Sequence, residues 1–321
     1  MKDVFYFSDE NTGSSVKRRN RRLRRFFKVL GIILSVILIF AVLVFCIYKL
    51  RNRNSELDDI RSAWSEYDYQ KVYELGRFYL QDHPYNNTAL TYYSYASFFL
   101  SQAQTDTQQA QLYLDEAINN LRVALYSASY ELKPQLQYML GRAYFYKNTI
   151  TTHYYSDLAV KYLLLAKENG YEADDIPEYL GLSYAALGMT FESISAFTEA
   201  LLVRESDSLL LSIAEQYYNA KEYKAAEQYL FRIVNNSEND EMILKSQILL
   251  GTIYIEEGNY DSALKEFENV LEKNKNSADA HYGIGVVYEK QGDMVAARAE
   301  WRKTLKIQVN HEGALKKMYV N

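Results

Sequence analysis

The chain has little of what builds reactive sites. Its 321 residues include one cysteine, Cys46, and four scattered histidines, His83, His153, His281 and His311. A lone thiol excludes an intrachain disulfide and any cysteine-built metal cluster. The histidines share no metal-ligand spacing, and no H-E-x-x-H, G-x-S-x-G or phosphate-cradling glycine loop occurs. Carboxylate pairs such as Asp58-Asp59, Asp174-Asp175 and Glu256-Glu257 fall at expected helix starts or solvated faces, and acidic side chains at helix N-termini are favoured by the dipole alone. The expectation is no enzyme, with no catalytic, cofactor or metal residues and no small-molecule substrate.

Proline is also scarce. With only Pro84, Pro134 and Pro177, long helices can run without interruption. Positive charge is missing from most of the chain: residues 1–28 hold nine basic and three acidic side chains, whereas the remainder holds 27 against 38, net −11. So acidic a remainder argues against binding nucleic acid or anionic lipid through its own surface.

Two things are abundant. One is tyrosine, with thirty-one residues, which suits a helical scaffold that packs rings between helices and lets hydroxyls reach water. The other is an unbroken apolar run, Val29–Tyr48, without a charge. As a helix it spans about 30 Å, the thickness of a bilayer's hydrocarbon core, and satisfies its own backbone. A cleaved signal peptide would have a shorter apolar core and an A-x-A-like site; a lipoprotein signal would place a small residue, not Phe45, before Cys46. A twin-arginine reading of Arg24-Arg25 follows from any run so basic. A transmembrane helix is therefore expected.

Charge asymmetry orients it. Arg18, Arg19, Arg21, Arg22, Arg24 and Arg25, with Lys17 and Lys28, precede the run, against Lys49, Arg51 and Arg53 after it. Positive flanks stay in the cytoplasm, so the N-terminus is expected inside and the C-terminal bulk outside. The basic run has a rival reading as a nucleic-acid patch; its place against an apolar span favours topology. Met1–Ser15 is expected to be a disordered tail whose Val4-Phe5-Tyr6-Phe7 cluster stands alone.

The rest repeats. Gly251 and Gly285 are thirty-four residues apart, and around them run Leu250-Gly251, Tyr254, Gly258, Ala263, Phe267 and Ile284-Gly285, Tyr288, Gly292, Ala297, Trp301. Upstream, Leu180-Gly181, Tyr184, Gly188, Phe197 and Ala200 form a further unit, as do Ile213-Ala214, Tyr217, Tyr223, Ala226 and Leu230. Leu140-Gly141, Tyr144, Ala159, Leu163 and Ala166 form another, with about six extra residues around Thr149–Tyr155. In the unit of Tyr95-Ala96, Phe99, Ala117, Leu121 and Ala124 an enlarged inter-helix loop is expected through Gln102–Gln109. The first unit keeps Tyr67-Asp68-Tyr69 and Pro84 but lacks the Leu-Gly pair.

These L-G-x-x-Y … G-x-Y … A-x-x-x-F positions resemble the tetratricopeptide repeat. The resemblance covers about residues 55–311 and implies an all-α fold: one N-terminal transmembrane helix, then an α-solenoid of about seven helical hairpins and a closing helix. Domains are accordingly expected at 1–28 (cytoplasmic basic tail), 29–48 (span), 49–54 (juxtamembrane linker), 55–311 (solenoid) and 312–321 (cap). Stacked hairpins would form a superhelix with a concave groove, because no hairpin buries its apolar face alone.

In the resembled family the first helix of each unit lines that groove. Carried over by position, the resemblance implies partner contacts at Tyr93, Tyr138, Arg142, Tyr146, Glu178, Glu215, Tyr218, Thr252 and Tyr282; for any one tyrosine the alternative is packing between units. No adjacent pair of units reproduces the Lys/Asn/Asn/Lys/Arg clamp with which some members grip acidic chaperone tails. A surface of this composition suits an apolar helix or extended segment with basic flanks.

Together, anchor and array lead to an expected non-enzymatic scaffold, single-pass in a bacterial inner membrane. Its array would be periplasmic and its partners would be subunits of an envelope complex. The combination is similar to bacterial envelope repeat proteins, including periplasmic collar components of spirochaete flagellar motors. A chaperone beside the secretion translocon is the alternative, and an organelle import receptor with a cytosolic array a weaker one.

Overall fold

The computed structural model describes residues 13–319, with side chains described at Lys28, at 30–47 and from Glu56 onward. The tail expected before Gly13, and the side chains of Arg18, Arg19, Arg21, Arg22, Arg24 and Arg25 expected to set the topology, lie outside the described residues. Among the described residues all regular structure is helical, in fifteen helices. They fall into two units, residues 1–84 and 85–321.

In the first unit, α1 (Gly13–Ser65) is one helix of 53 residues, about 80 Å long, and it is continuous through 49–54. Its stretch Leu30–Ile47 is long and apolar enough to cross a membrane. Every large apolar side chain there is exposed, Phe40 by 67%. The chain then reverses at Tyr67, whose φ of 59° is left-handed, and enters α2 (Tyr69–Asp82), where the Asp68 carboxylate caps by accepting from the Lys71 N–H.

The second unit pairs helices in sequence. Its six hairpins are α3 (Asn87–Gln102) with α4 (Thr107–Ser127), α5 (Lys133–Ile150) with α6 (Ser156–Glu168), α7 (Ile176–Ala186) with α8 (Thr190–Val203), α9 (Asp207–Asn219) with α10 (Tyr223–Asn236), α11 (Asp240–Glu256) with α12 (Tyr260–Lys273), and α13 (Ala278–Lys290) with α14 (Met294–Ile307). The cap α15 (Glu312–Tyr319) closes on α14. Each helix packs on the next, and first helices also touch across hairpins (α3 with α5, α5 with α7, α9 with α11, α11 with α13), while second helices show no comparable contact. First helices therefore form the tighter, inner row.

The repeat residues explain this spacing. Phe267 is wedged between two helices that come close only because they carry glycine: a Cβ on Gly251 would lie 2.6 Å from its ring and one on Gly283 2.3 Å. Trp301 likewise fills the space that Gly285 leaves open, and Phe197 that of Gly181. All three rings are almost fully buried.

Four of the six hairpin turns share one geometry. The second residue after helix one is left-handed at Gly188, Gly258 and Gly292, where glycine carries no Cβ penalty. Lys221 takes the same conformation, φ 61°, in the α9–α10 turn, and the Glu222 N–H reaches Tyr217 C=O there just as Asn259 N–H reaches Tyr254 C=O.

One expectation is corrected. The unit containing Ala96 has no enlarged loop over 102–109: the connection is residues 103–106, and the extra length continues as helix, α4 being 21 residues long. Gln108 N–H is capped by Asp106, so the polar stretch read as loop is the first turn of α4. Between α5 and α6 the added residues do form a connection, 151–155.

Candidate partner-binding groove

The inner row presents side chains from α3, α5, α7, α9, α11 and α13. At its α5–α7 stretch one cation stands among rings. The Arg142 guanidinium lies 5.0 Å from the Phe98 ring centre, 5.4 Å from Tyr138 and 5.5 Å from Tyr179. Such contacts stabilise a cation through the ring quadrupole. Around them Phe98 meets Tyr146 edge-on at 5.6 Å and Phe145 meets Tyr179 at 4.9 Å. The Tyr146 and Tyr179 hydroxyls are 3.2 Å apart.

Among the described residues Arg142 has no carboxylate within ion-pair distance, and its Nε–H is buried without a hydrogen-bond partner. Burial opposes its charge, but Tyr179, Tyr138 and Asp175 more than offset that, and the pKa is raised.

Asp175 is the nearest acid, and it is engaged. Although it is the N-cap residue of α7, its carboxylate does not cap that helix; it accepts the Tyr138 hydroxyl at 2.7 Å instead. Burial first, and that hydrogen bond second, push the Tyr138 phenol pKa upward. The hydroxyl thus ties α5 to the start of α7 as a neutral donor.

Further along the row the charge reverses. Glu215 and Glu256 are exposed, and neither is in an ion pair among the described residues. Protein crowds Glu215 while leaving it open to water, so desolvation raises its carboxyl pKa, with the Lys245 ammonium pulling the other way. Lys245 itself binds Glu241 at 2.7 Å. Tyr218 lies between, its phenol pKa raised by burial and then by Glu256. Glu178 has only a long contact to Arg204, 3.9 Å.

The nine expected contact positions therefore separate. Tyr93 is buried and donates to Glu116 at 2.6 Å; Tyr138 is buried against Tyr171 and Asp175; Tyr282 is covered by the cap, its ring 4.8 Å from His311 and against Gly313. Arg142, Tyr146, Glu178, Tyr218 and Thr252 are half-buried and Glu215 is exposed, so these six keep surface open to solvent. Tyr179, Phe98 and Asp175 belong to the same cluster and were missed. Position within the repeat does not mark them, but an arginine flanked by aromatics on two consecutive first helices, with no acid one turn away, was a usable signal.

Among the described residues no group of three or more His, Cys, Asp or Glu could hold a metal ion. Two of the histidines have structural partners: His281 Nδ1 is 2.7 Å from Glu300, and His311 accepts the Ala314 N–H at the start of α15 while its Nε2 faces Asp279.

Known proteins resemble the chain at three levels. A family model described as TPR repeat matches residues 251–292. The anaphase-promoting complex subunit CDC16 of Saccharomyces cerevisiae is 26% identical over 141 residues, 42% of this chain; the match spans only 17% of that relative's length. In three dimensions the chain is similar to the C-terminal part of a TPR repeat-containing protein from Cytophaga hutchinsonii (TM-score 0.57, 13% identity, 82% of this chain and 99% of that one). A tetratricopeptide repeat protein from Parabacteroides merdae gives a TM-score of 0.50 at 15% identity, over 83% and 97%. At such identities these structures speak to the fold alone.

Proposed function

We propose that this chain, whose residues 251–292 match a TPR repeat family model, is a protein–protein interaction scaffold held at a bacterial inner membrane. Residues 29–48 span the bilayer, the N-terminus is cytoplasmic, and the array recruits subunits of an envelope complex in the periplasm. The observation that carries this reading is the pairing of an array that keeps charged and aromatic groups open along its inner row with a helical stretch, Leu30–Ile47, whose large apolar side chains are all exposed. An exposed apolar surface of that extent requires lipid or protein around it. The basic residues before the span support the orientation.

α1 continues for about 27 Å between Ile47 and Ser65. Tethering then acts through effective concentration, because a partner confined to the same envelope meets the groove without a three-dimensional search. Capture of the tagged full chain from detergent-solubilised membranes should recover a few stoichiometric envelope proteins, such as those of a flagellar motor. A broad smear of unfolded exported chains would favour a chaperone role instead, and recovery of cytosolic proteins alone would sink the scaffold.

A further inference from the structure

The inner row is polar in the electrical sense. One end offers a single guanidinium without an ion-paired carboxylate, walled by Phe98, Tyr146 and Tyr179; two and three hairpins on, the open charges are Glu215 and Glu256. Most other charges near these positions are already matched: Asp175 takes the Tyr138 hydroxyl, Lys245 holds Glu241, and Glu289 is bound by Lys317 at 2.5 Å. Glu178 makes only its long contact to Arg204, and Arg142, Glu215 and Glu256 make no ion pair among the described residues. They differ in sign from one end to the other.

We infer that the groove receives an extended segment of a partner protein bearing a carboxylate where it meets Arg142 and a lysine or arginine where it passes Glu215 and Glu256. This inference rests on the scaffold reading and adds the partner's chemistry to it. Apolar residues are expected between the charges, because half-buried Leu182 lies on α7, the first helix between Arg142 and Glu215, and the half-buried Tyr218 ring lies between Glu215 and Glu256.

The fold also fixes the register. First helices in contact are spaced by about 8–10 Å. From α5 to α9 is two steps, of which α5–α7 is a direct contact and α7–α9 is bridged by α8; taking the same spacing for both puts Arg142 and Glu215 about 16–20 Å apart along the row, which an extended chain rising about 3.3 Å per residue covers in five or six residues. The step on to Glu256 places a second basic residue about three positions later. A helical segment would need about eleven to thirteen residues between the first two charges.

The test uses the full chain in phosphatidylcholine nanodiscs and labelled, end-blocked peptides read by fluorescence anisotropy. One peptide carries Asp and Arg six residues apart with leucines and serines between; an isomer places the charges side by side; a third places them twelve apart. The six-residue spacing should bind about tenfold tighter than either of the others, with each charge worth up to about fivefold. Replacing the peptide's Asp by Asn should weaken binding to the wild type but not to Arg142→Gln. Because Arg142 also packs on rings, an exposed pair provides a second arm that does not depend on its folding: Glu215→Lys/Glu256→Lys should prefer a peptide with Glu in place of Arg. Equal binding of the isomers, tighter binding of the twelve-residue spacing, or an unchanged preference for Arg in the double variant would each overturn the inference. If these variants still capture the native membrane complex unchanged, the scaffold stands and its polarity is wrong; if the wild type captures no complex, the scaffold itself fails.

Discussion

The α11–α14 hairpins and the α3–α6 hairpins solve the same stacking problem with different materials. In the former, glycines at 251, 283 and 285 bring helices close, and single large rings, Phe267 and Trp301, fill the gaps within aliphatic surroundings of Ile255, Val270, Ile284 and Val287. In the latter, Phe98 packs on Tyr146, Tyr138 on Tyr171, and Tyr144 stacks with Tyr155 and Tyr162. Adherence to the repeat yields a largely apolar seam, in which the Trp301 indole N–H is buried without a hydrogen-bond partner. Departure from it leaves hydroxyls and a guanidinium that must be satisfied. The regular end sets single rings in aliphatic packing, and the aromatic stretch holds the Arg142 cluster.

The comparison can be broken most forcefully at Phe267. Phe267→Ala should leave a cavity between two glycine-bearing helices that cannot collapse onto it, costing about 3–5 kcal/mol. Denaturant unfolding followed by hydrogen exchange should show α11–α14 opening first. Loss spread evenly over all hairpins would mean the regular end is no separate stability unit.

A smaller loss is expected from Tyr138→Phe, which strips the Asp175 carboxylate of its donor and should cost about 1–2 kcal/mol. Opposite in sign, Lys221→Gly relieves a left-handed lysine and should stabilise by about 0.5–1 kcal/mol, after allowing for the extra freedom of glycine in the unfolded chain. A raised denaturation midpoint checks it; a lowered one would show that the lysine side chain contributes more than its backbone strain costs.

Glu215→Gln tests whether the groove trades stability for recognition. The folded pKa of Glu215 lies above its unfolded value, so at neutral pH the ionised carboxylate opposes folding. Glutamine should therefore stabilise at pH 7, and its advantage should fade as pH falls through the folded pKa and the native glutamate takes up its proton. The same change should weaken the bipolar peptide. Smallest of all, breaking the surface pair Lys167–Glu199 (2.6 Å) should cost under about 1 kcal/mol, and less still in high salt.

How much of this was legible in the sequence follows from the same contrast. Gly251, Gly285, Phe267 and Trp301 recur at fixed spacing because one steric rule acts on every hairpin, and a rule that repeats can be read. Lys221 and Tyr67 could not be read as left-handed turn residues, since nothing in a lysine or a tyrosine announces φ near 60°; only alignment to Gly188, Gly258 and Gly292 does. The length of α4 was hidden by glutamines that serve equally in loops and on helix surfaces. The diversion of Asp175 from its own helix to Tyr138, 37 residues away, depends on a choice between two acceptable partners that local pattern does not encode.

The central claim, that a recognition array is displayed outside the membrane by its N-terminal helix, is tested most directly by cysteine labelling. In a background with Cys46→Ser, Ser195→Cys places a thiol on the exposed surface of α8 and Ser14→Cys places one before the basic run. With the outer envelope permeabilised and the inner membrane intact, a membrane-impermeant maleimide should label Ser195→Cys fully and leave Ser14→Cys unlabelled until detergent is added. Labelling of Ser14→Cys with protection of Ser195→Cys would contradict the account.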